Sequence, residues 1–370
     1  MKQCILNSTA LQEFAKEKKI QPFKIKQILY EIFKNQNIKF EDMTTLSKDL
    51  RSDLDELFSV VPLEADKILE DKETTKIWFK TADGHIIESV IIYHRQARKY
   101  RVNNKPKLNR ITLCISSQIW CPVNCLFCVT GKLGFTRNLT REEIIWQILF
   151  ANNYIKNKLG KKEDWTLNAV RNVVFMWMGE PMLNYENVKK SIEMMLQQDR
   201  LSLSRKHVTI STAGFPEWIR KLIKDDIQVW LAISLHSADQ ATREKIMPIA
   251  KAVKLEDLMA SIKEYVHATG NRIFYEYILI KWITDTKEQA TKLINLLKNQ
   301  LAHVNLIPYN ENPAIDLKES EEKTISEFKN TLENWWLTVT VRDSMWRKVK
   351  SACWQLGYQK IKEDKDNKKY

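Results

Sequence analysis

The sequence predicts an α/β protein built around a curved parallel sheet, with a smaller helical region preceding it. From residue 111 onward, apolar runs of strand length alternate with longer segments whose apolar residues recur at helical spacing. Parallel strands need crossover helices, so six such repeats predict right-handed βαβ units that curl into a partial (β/α)6 barrel. The predicted strands are 111–117, 173–178, 207–212, 229–235, 272–280, 303–308 and 337–342, and the predicted helices are 141–157, 185–197, 216–225, 255–268, 286–300 and 320–333.

The first part of the chain predicts a helical accessory domain, which we assign to residues 1–68. Apolar residues at helical spacing predict helices at 11–17, 23–33 and 48–58. A β-extension and basic linker are predicted over 69–110, because two apolar runs flank a turn at 82–85. The barrel is then expected over 111–358, followed by a charged tail at 359–370 that we expect to be disordered.

The net charge of the chain indicates what kind of molecule it binds. The net charge of +13 suits a polyanion such as RNA, because each phosphate contact by Lys or Arg releases counterions. The stretch from His94 to Arg110 has seven Lys or Arg residues and no acid, which predicts either an RNA contact or a solvated loop. No apolar run reaches transmembrane length and no signal peptide is evident, so we expect a cytoplasmic protein that does not bind membranes.

Three of the six cysteines, Cys121, Cys125 and Cys128, form a CxxxCxxC pattern directly after a predicted strand. Thiolates are soft ligands that suit iron–sulfur clusters or zinc. Three ligands leave one position of a four-iron cluster open for a non-protein ligand, whereas structural zinc normally takes four. Cys114 could complete a zinc site, but zinc sites usually combine two CxxC pairs across a long spacer, so the spacing favours a cluster.

Further motifs follow one another through most of the chain. They are Cys114–Gln118, Thr130–Phe135, Arg137–Thr140, Glu143–Ile144, Met178–Pro181, Ser211–Thr212, Ser234–His236, Pro308–Asn310, Thr340–Arg342 and Ala352–Cys353. CxxxCxxC is typical of radical S-adenosylmethionine (SAM) enzymes, and the whole set resembles the RNA adenine methyltransferases of the RlmN/Cfr type. Because the motifs keep the family's order, the resemblance is specific.

The resemblance implies a radical-SAM barrel in which Cys121, Cys125 and Cys128 hold a [4Fe–4S] cluster and SAM binds its open iron. The matching SAM-binding positions are Gly179, Glu180, Ser211, Ser234, Leu235, His236 and Asn310. These residues follow or end predicted strands, which is where ligands bind in such sheets. Taken individually, Glu180 could instead be a helix N-terminal charge and His236 a core histidine.

The resemblance also implies the reaction, which is methylation at C2 of an adenosine in 23S rRNA and in tRNA. Cys353 would carry the methyl group as S-methylcysteine, Cys114 would release the product through a transient disulfide with Cys353, and Glu88 would accept the proton. A flavodoxin or ferredoxin is expected as electron donor, and the protein is expected to be a monomer. The alternatives are Cfr-like methylation at C8 and an inactive RNA-binding or zinc-containing paralogue.

Glycine is scarce in this chain and tryptophan is abundant. There are eight glycines and 12 tryptophans among 370 residues, whereas glycine averages about 7% of protein residues. Tryptophan stands at seven positions where the resemblance expects glycine: Trp120, Trp146, Trp177, Trp282, Trp336, Trp346 and Trp354. One replacement repeated at many sites suggests that UGA codons for glycine were translated as tryptophan; the alternative is a degenerate paralogue with a blocked pocket.

Overall fold

The computed structural model describes residues 2–95, 108–159, 169–176, 178–311 and 315–342. Its strands are β1 Gln3–Cys4, β2 Phe58–Ser59, β3 Leu63–Glu70, β4 Thr74–Thr81, β5 Ile86–Arg95, β6 Leu108–Cys114, β7 Gln118–Trp120, β8 Phe135–Asn138, β9 Asn172–Phe175, β10 Val208–Thr212, β11 Trp230–Ser234, β12 Ile273–Leu279, β13 Ala302–Pro308 and β14 Thr338–Val341. Its α-helices are α1 Ser8–Glu17, α2 Pro22–Tyr30, α3 Lys48–Leu57, α4 Val129–Lys132, α5 Arg141–Leu159, α6 Tyr185–Leu196, α7 Pro216–Lys224, α8 Gln240–Ile246, α9 Leu255–Thr269, α10 Lys287–Leu297 and α11 Glu322–Glu333.

Within these residues, ten strands form one mixed sheet in the order β14-β13-β12-β11-β10-β9-β6-β5-β4-β3. The strands from β6 through β14 in this order pair in parallel, with helices in their connections, as the alternating sequence pattern predicts. The antiparallel strands β3, β4 and β5 extend the same sheet. The α/β class and the parallel sheet inferred from the sequence are therefore confirmed.

The predicted strands and helices of the barrel differ from the observed ones by a few residues at most. The strand boundaries can be predicted from the sequence because parallel strands that are buried on both faces form continuous apolar runs. The sequence pattern missed the short hairpin formed by β7 and β8, and it missed α8. It also missed β3, which crosses the predicted domain boundary at residue 68, and the domain limits themselves stay a prediction.

The N-terminal region is helical, as predicted, and joins the barrel through a shared hydrophobic core. Asn7 caps α1 by accepting hydrogen bonds from the backbone N–H groups of Thr9 and Ala10, and Ser47 caps α3 in the same way. A π-helical turn at Glu31–Asn35 continues α2. The strands β1 and β2 pair in parallel and bring the two ends of this region together. None of the helices within the described ranges could cross a membrane.

Candidate active site

The curved sheet surrounds a cavity of about 660 Å³ whose wall is formed by side chains of β5, β6 and the strands from β9 to β14. Residues two apart on a strand share a face, so alternate positions of each strand point inward. Cys114, Ser211, Ser234 and His236 line this cavity at the C-terminal ends of β6, β10 and β11. The structure therefore brings together four predicted site residues from separate segments of the chain.

The cysteine loop runs from the end of β7 to the start of α4. Its three thiols are half-buried and pack against the hydrophobic core. The backbone N–H of Leu126 donates to the Ile246 carbonyl (2.8 Å), which attaches the loop to the end of α8. The Phe127 ring meets the His236 ring edge-on with centroids 4.8 Å apart. This contact joins the loop to the wall of the cavity.

Burial raises the pKa of the Cys121, Cys125 and Cys128 thiols above the ordinary range. For Cys125, the neighbouring Cys128 and Cys121 sulfurs raise the pKa further, so the three groups share one environment. A bound cation would reverse this effect, because metals favour thiolates. Among the described residues, no three His, Cys, Asp or Glu side chains are already arranged to hold a metal ion, so the ligand roles of the three cysteines stay a proposal.

Gly179 lies against β7, where only glycine fits. Its φ is +97°, and a Cβ built there would lie 2.6 Å from the Gln118 Cβ and 2.8 Å from the Gln118 backbone nitrogen. The next residue is attached to the same strand, since the Glu180 N–H donates to Gln118 Oε1 at 2.8 Å. Glycine at this position thus allows a close approach between two segments of the protein.

Glu180 is buried, and both of its carboxylate oxygens accept backbone hydrogen bonds. Oε1 accepts from the Met182 N–H (3.0 Å), which caps the 3₁₀ turn at Pro181–Asn184, and Oε2 accepts from the Ala213 N–H (2.7 Å). Burial raises the pKa of Glu180 to about 7, although these hydrogen bonds oppose the shift. The helix-capping interpretation is therefore observed, and a contact with the SAM ammonium group stays a prediction.

His236 ends the inward face of β11 and is fully buried. Its φ of +57° turns the chain at the strand end. The Ile278 N–H donates to His236 Nδ1 (3.2 Å), which in the neutral ring leaves the proton on Nε2. Burial, reinforced by Arg243, lowers the pKa of His236 to about 3, so the ring is neutral at physiological pH.

Arg243 is a site residue that the sequence analysis missed. It is fully buried on α8, where Nε donates to the Leu235 carbonyl (3.2 Å) and Nη2 donates to the Ala213 carbonyl (2.5 Å). Burial lowers the pKa of Arg243 to about 10, and Cys125 acts against that shift. This guanidinium thus places a positive charge near the cysteine loop. A single arginine in a polar helix gives no sequence signal of such a role.

The remaining predicted SAM-binding residues lie at the same end of the sheet. Leu235 is fully buried, and its N–H donates to the Glu276 carbonyl at 3.1 Å. Asn310 is buried just beyond β13, and its Oδ1 has no hydrogen-bond partner within the described ranges. A buried carbonyl oxygen without a donor is costly unless a ligand supplies one. Asn310 therefore fits a position that faces a bound polar molecule.

Cys114 and Glu88 lie on neighbouring strands. The register pairs Val90 of β5 with Cys114, and Glu88 lies two residues away on the same face as Val90. The Glu88 carboxylate forms an ion pair with Lys76 Nζ at 2.8 Å, and both side chains are almost completely buried. Sequence reasoning did not predict this lysine, because the pairing depends on the register of β4 against β5. Glu88 is therefore buried in the sheet and is not a surface residue of its strand.

Cys353 lies outside the described residues, as do Trp177, Trp346 and Trp354. The disulfide partnership between Cys114 and Cys353 is thus untested.

The N-terminal ends of the barrel strands carry positive charge. Arg110 and Lys206 are exposed there and line the cavity, as do His94 and His207. Burial lowers the pKa of His94 to about 4, and it also lowers the pKa of His207. The positive charge of Arg110 lowers the pKa of both histidines further. The cavity thus has a basic rim at the end opposite to the cysteine loop.

Comparison with known proteins gives a consistent result. The family model of the radical SAM superfamily matches residues 115–294, and that of the ribosomal RNA large subunit methyltransferase N-terminal domain matches residues 5–60. The chain is 39% identical over 334 residues to a probable dual-specificity RNA methyltransferase RlmN from Dictyoglomus turgidum, covering 90% of both proteins. It is 37% identical over 351 residues to a probable dual-specificity RNA methyltransferase RlmN 2 from Protochlamydia amoebophila, covering 94% of this chain and 92% of that protein.

Among solved structures, the crystal structure of a radical SAM methyltransferase from Sphaerobacter thermophilus aligns with a TM-score of 0.84 at 30% identity. The alignment covers 93% of this chain and 96% of that one, so the similarity includes the helical N-terminal region as well as the barrel.

Proposed function

Because the chain belongs to the RlmN family of radical SAM RNA methyltransferases, we propose that it transfers a methyl group from SAM to C2 of an adenosine in 23S rRNA, with tRNA as a second substrate. The observation that supports this most directly is the Phe127–His236 contact. It places the three-cysteine loop beside a cavity that Cys114 also lines. A metal-binding loop and a reactive thiol on one cavity wall suit radical transfer to a bound base.

The family uses a [4Fe–4S] cluster and SAM, and the types of donor present suit both groups: three thiols for the cluster, and a carboxylate, hydroxyls, an imidazole and an amide for SAM. Cys121, Cys125 and Cys128 would hold the cluster, and Gly179, Glu180, Ser211, Ser234, Leu235, His236 and Asn310 would hold SAM. When bound, these cofactors supply a radical that removes hydrogen from a protein-bound methyl group. Asn310 Oδ1, which has no hydrogen-bond partner within the described ranges, offers an acceptor for a polar ligand.

Two of the three cysteines outside the loop, Cys114 and Cys353, carry the methyl chemistry in this proposal. Adenine C2 is not nucleophilic, so a methyl group on the Cys353 sulfur would become the carbon that joins the ring. Glu88 would accept the proton released from C2, while Lys76 holds its carboxylate in place. Attack of the Cys114 thiolate on the Cys353 sulfur would then form a disulfide and break the sulfur–carbon bond. The electron pair of that bond would leave with the carbon attached to the RNA, which would take up a proton to become the methyl group of the released product.

Mass spectrometry of RNA nucleosides tests the proposal. The protein is reconstituted anaerobically with iron and sulfide and then incubated with SAM, a reductant, and either 23S rRNA or tRNA. We expect 2-methyladenosine; 8-methyladenosine would instead indicate Cfr-like chemistry. A colourless protein with one equivalent of zinc and no SAM cleavage would support the inactive zinc-containing alternative.

The Cys114→Ala variant tests the release step. Without the attacking thiol, we expect RNA to stay covalently bound to the protein and to survive denaturing electrophoresis. Cys4→Ala is the matched control, since Cys4 is half-buried in the N-terminal region, away from the cavity. Equal release of methylated RNA by the Cys114→Ala and Cys4→Ala variants would contradict the assigned role of Cys114.

We further propose that the basic rim binds the phosphate backbone of the RNA, and that the connection between β5 and β6 takes part. This connection is the basic stretch predicted from the sequence. It follows Arg95 of β5 and precedes Leu108 of β6, and because these two residues are paired, both of its ends lie beside the N-terminal end of β6. Of the two interpretations of this connection, an RNA contact and a solvated loop, the rim favours the RNA contact. Arg110 and Lys206 extend the positive charge beyond the connection itself. A flavodoxin or ferredoxin as reductant, a cytoplasmic location and a monomeric state complete the proposal.

A further inference from the structure

Three tryptophans adopt a backbone conformation that suits glycine. Within the described ranges, positive φ occurs at nine residues other than glycine, and six of them are the polar residues Lys19, Gln36, Asn124, Ser202, Asp226 and His236. The other three are Trp120 (+62°), Trp282 (+64°) and Trp336 (+62°). Positive φ is tolerated by asparagine and aspartate but is a genuine outlier for a bulky residue. These three positions therefore require an explanation.

Trp336 lies in a Schellman motif at the end of α11. Its N–H donates to the Glu333 carbonyl (2.9 Å), and the Leu337 N–H donates to the Leu332 carbonyl (3.4 Å). Leu332 and Leu337 are both buried, as the motif requires. The position between these two hydrogen bonds is left-handed and is usually glycine. The same chain uses Gly270, with φ +66°, directly after α9.

Trp282 occupies the third position of a tight turn after β12. The Ile283 N–H donates to the Ile280 carbonyl at 3.1 Å and closes the turn. Positive φ at the third position is characteristic of type II turns, where glycine is preferred. The Trp282 side chain is 78% exposed and that of Trp336 is 96% exposed. Packing of the indoles therefore does not offset the backbone strain at either position.

Trp120 is the third case, and it directly precedes the first cysteine of the metal-binding loop. The pairing of β7 with β8 shifts register between Ile119 and Trp120, so the chain leaves the hairpin there. A left-handed residue at this point turns the backbone toward Cys121. Residue 120 is thus a positioning residue for the cysteine loop, and its backbone is of the glycine type.

The tryptophans with positive φ all stand at positions where the family resemblance expects glycine. Trp120, Trp282 and Trp336 are three of the four described positions where the family resemblance expects glycine. The fourth, Trp146, is in the interior of α5, and its buried indole N–H has no hydrogen-bond partner within the described ranges. None of the other described tryptophans, at positions 78, 218, 230 and 335, has positive φ.

We propose that residues 120, 282 and 336 are glycine in the natural protein, and that their codons are UGA, decoded as glycine by the source organism. UGA is read as tryptophan under one variant code and as glycine under another, so a single change of code accounts for every site. It also accounts for the excess of tryptophan over glycine in the sequence. Codons at these three positions should read UGA, whereas UGG at any of them overturns the proposal for that position.

Peptide mass spectrometry of the protein from its native cells provides the direct test. The tryptic peptide from Asn330 to Arg342 contains both Trp335 and Trp336. We expect tryptophan at the first position and glycine at the second, so one fragment spectrum contains its own control. The peptide from Trp282 to Lys287 should likewise begin with glycine. Tryptophan at residue 282 or 336 in the native protein would refute the assignment there.

Purified variants test the structural argument separately. Trp336→Gly should raise the Tm, because it relieves a left-handed tryptophan, whereas Trp335→Gly should lower it. Trp120→Gly should increase the iron retained per chain and the cluster absorbance after reconstitution, with Trp282→Gly as a control that leaves both unchanged. A lower Tm for Trp336→Gly, or less iron with Trp120→Gly, would contradict the glycine assignment.

Discussion

Glu88 and Lys76 form an ion pair in a part of the sheet from which water is nearly excluded. The lysine side chain is 4% exposed and the carboxylate side chain is 3% exposed. Burial lowers the pKa of Lys76, but the adjacent Glu88 charge opposes that shift. Lys76 Nζ also lies 4.4 Å from the centre of the Trp78 ring, which favours its charged form. Glu88 is thus held in a fixed position by a partner that only the fold supplies.

Removing one member of this pair should be costly. Lys76→Met removes the 2.8 Å ion pair of a buried carboxylate, and we expect a loss of about 3–5 kcal/mol in the free energy of unfolding. Lys80→Met, at an exposed position of the same strand, should change it by less than about 0.5 kcal/mol. Urea titration measures both, and adding Glu88→Gln to Lys76→Met should restore part of the loss. Equal stability of the two single variants would exclude an energetically important pair.

His94 makes stability depend on pH at the basic rim. Burial, followed by the charge of Arg110, lowers its pKa from 6.5 to about 4 in the folded protein. The unfolded chain therefore binds more protons between these pH values, so stability is complete above about pH 6.5 and is lost as the pH falls toward 4. We expect His94→Gln to reduce the slope of unfolding free energy against pH in this window. An unchanged slope would contradict this assignment.

At the scale of elements, the ends of strands determine where the site forms. The segment after β9 packs against β7 so closely that Gly179 has no room for a side chain. Its neighbour Glu180 then reaches the loop after β10 through the Ala213 N–H. The start of β7, the segment after β9 and the loop after β10 are thereby connected, which places Gly179 and Glu180 beside the residues that follow β10.

A comparison of Gly84 with Gly179 distinguishes the cost of a close contact from the cost of a positive φ. Gly84 (φ +83°) has no atom within 4 Å of the point that a Cβ would occupy, whereas the Cβ of an alanine at Gly179 would overlap Gln118. Gly84→Ala should therefore cost about 1–2 kcal/mol from its dihedral alone. Gly179→Ala should cost more and should also reduce SAM binding measured by calorimetry. Similar stability losses for the two variants would show that the contact with β7 contributes little.

On the scale of the molecule, the two ends of the barrel have different chemistry. The cysteine loop, His236 and Arg243 lie near the C-terminal ends of the strands, while Arg110 and Lys206 lie at the N-terminal ends. A strand of five to seven residues separates these ends by roughly 20 Å. RNA that reaches both ends would present a base to one and its phosphate backbone to the other.

RNA affinity should then depend on salt through the rim. Arg110→Gln and Lys206→Gln should each weaken RNA binding at low salt and reduce the slope of log K against log salt by about one, if each contacts one phosphate. Lys323→Gln is the matched control, since its side chain is 86% exposed on α11 and does not line the cavity. Fluorescence anisotropy with labelled RNA at several salt concentrations measures the slopes. Identical slopes for all three variants would locate the RNA contact elsewhere.

The sequence by itself determined the order and type of the barrel elements except α8 and the β7–β8 hairpin, since continuous apolar runs and helical spacing are local properties of the chain. It also determined which residues are candidates for binding the cofactors and for catalysis, because the three-cysteine pattern and the motifs at strand ends each lie within a short segment of the chain. It could not predict that Lys76 pairs with Glu88 or that Arg243 lies near Cys125. Those contacts join side chains from separate elements, so they depend on strand register and helix packing, which only the tertiary structure decides.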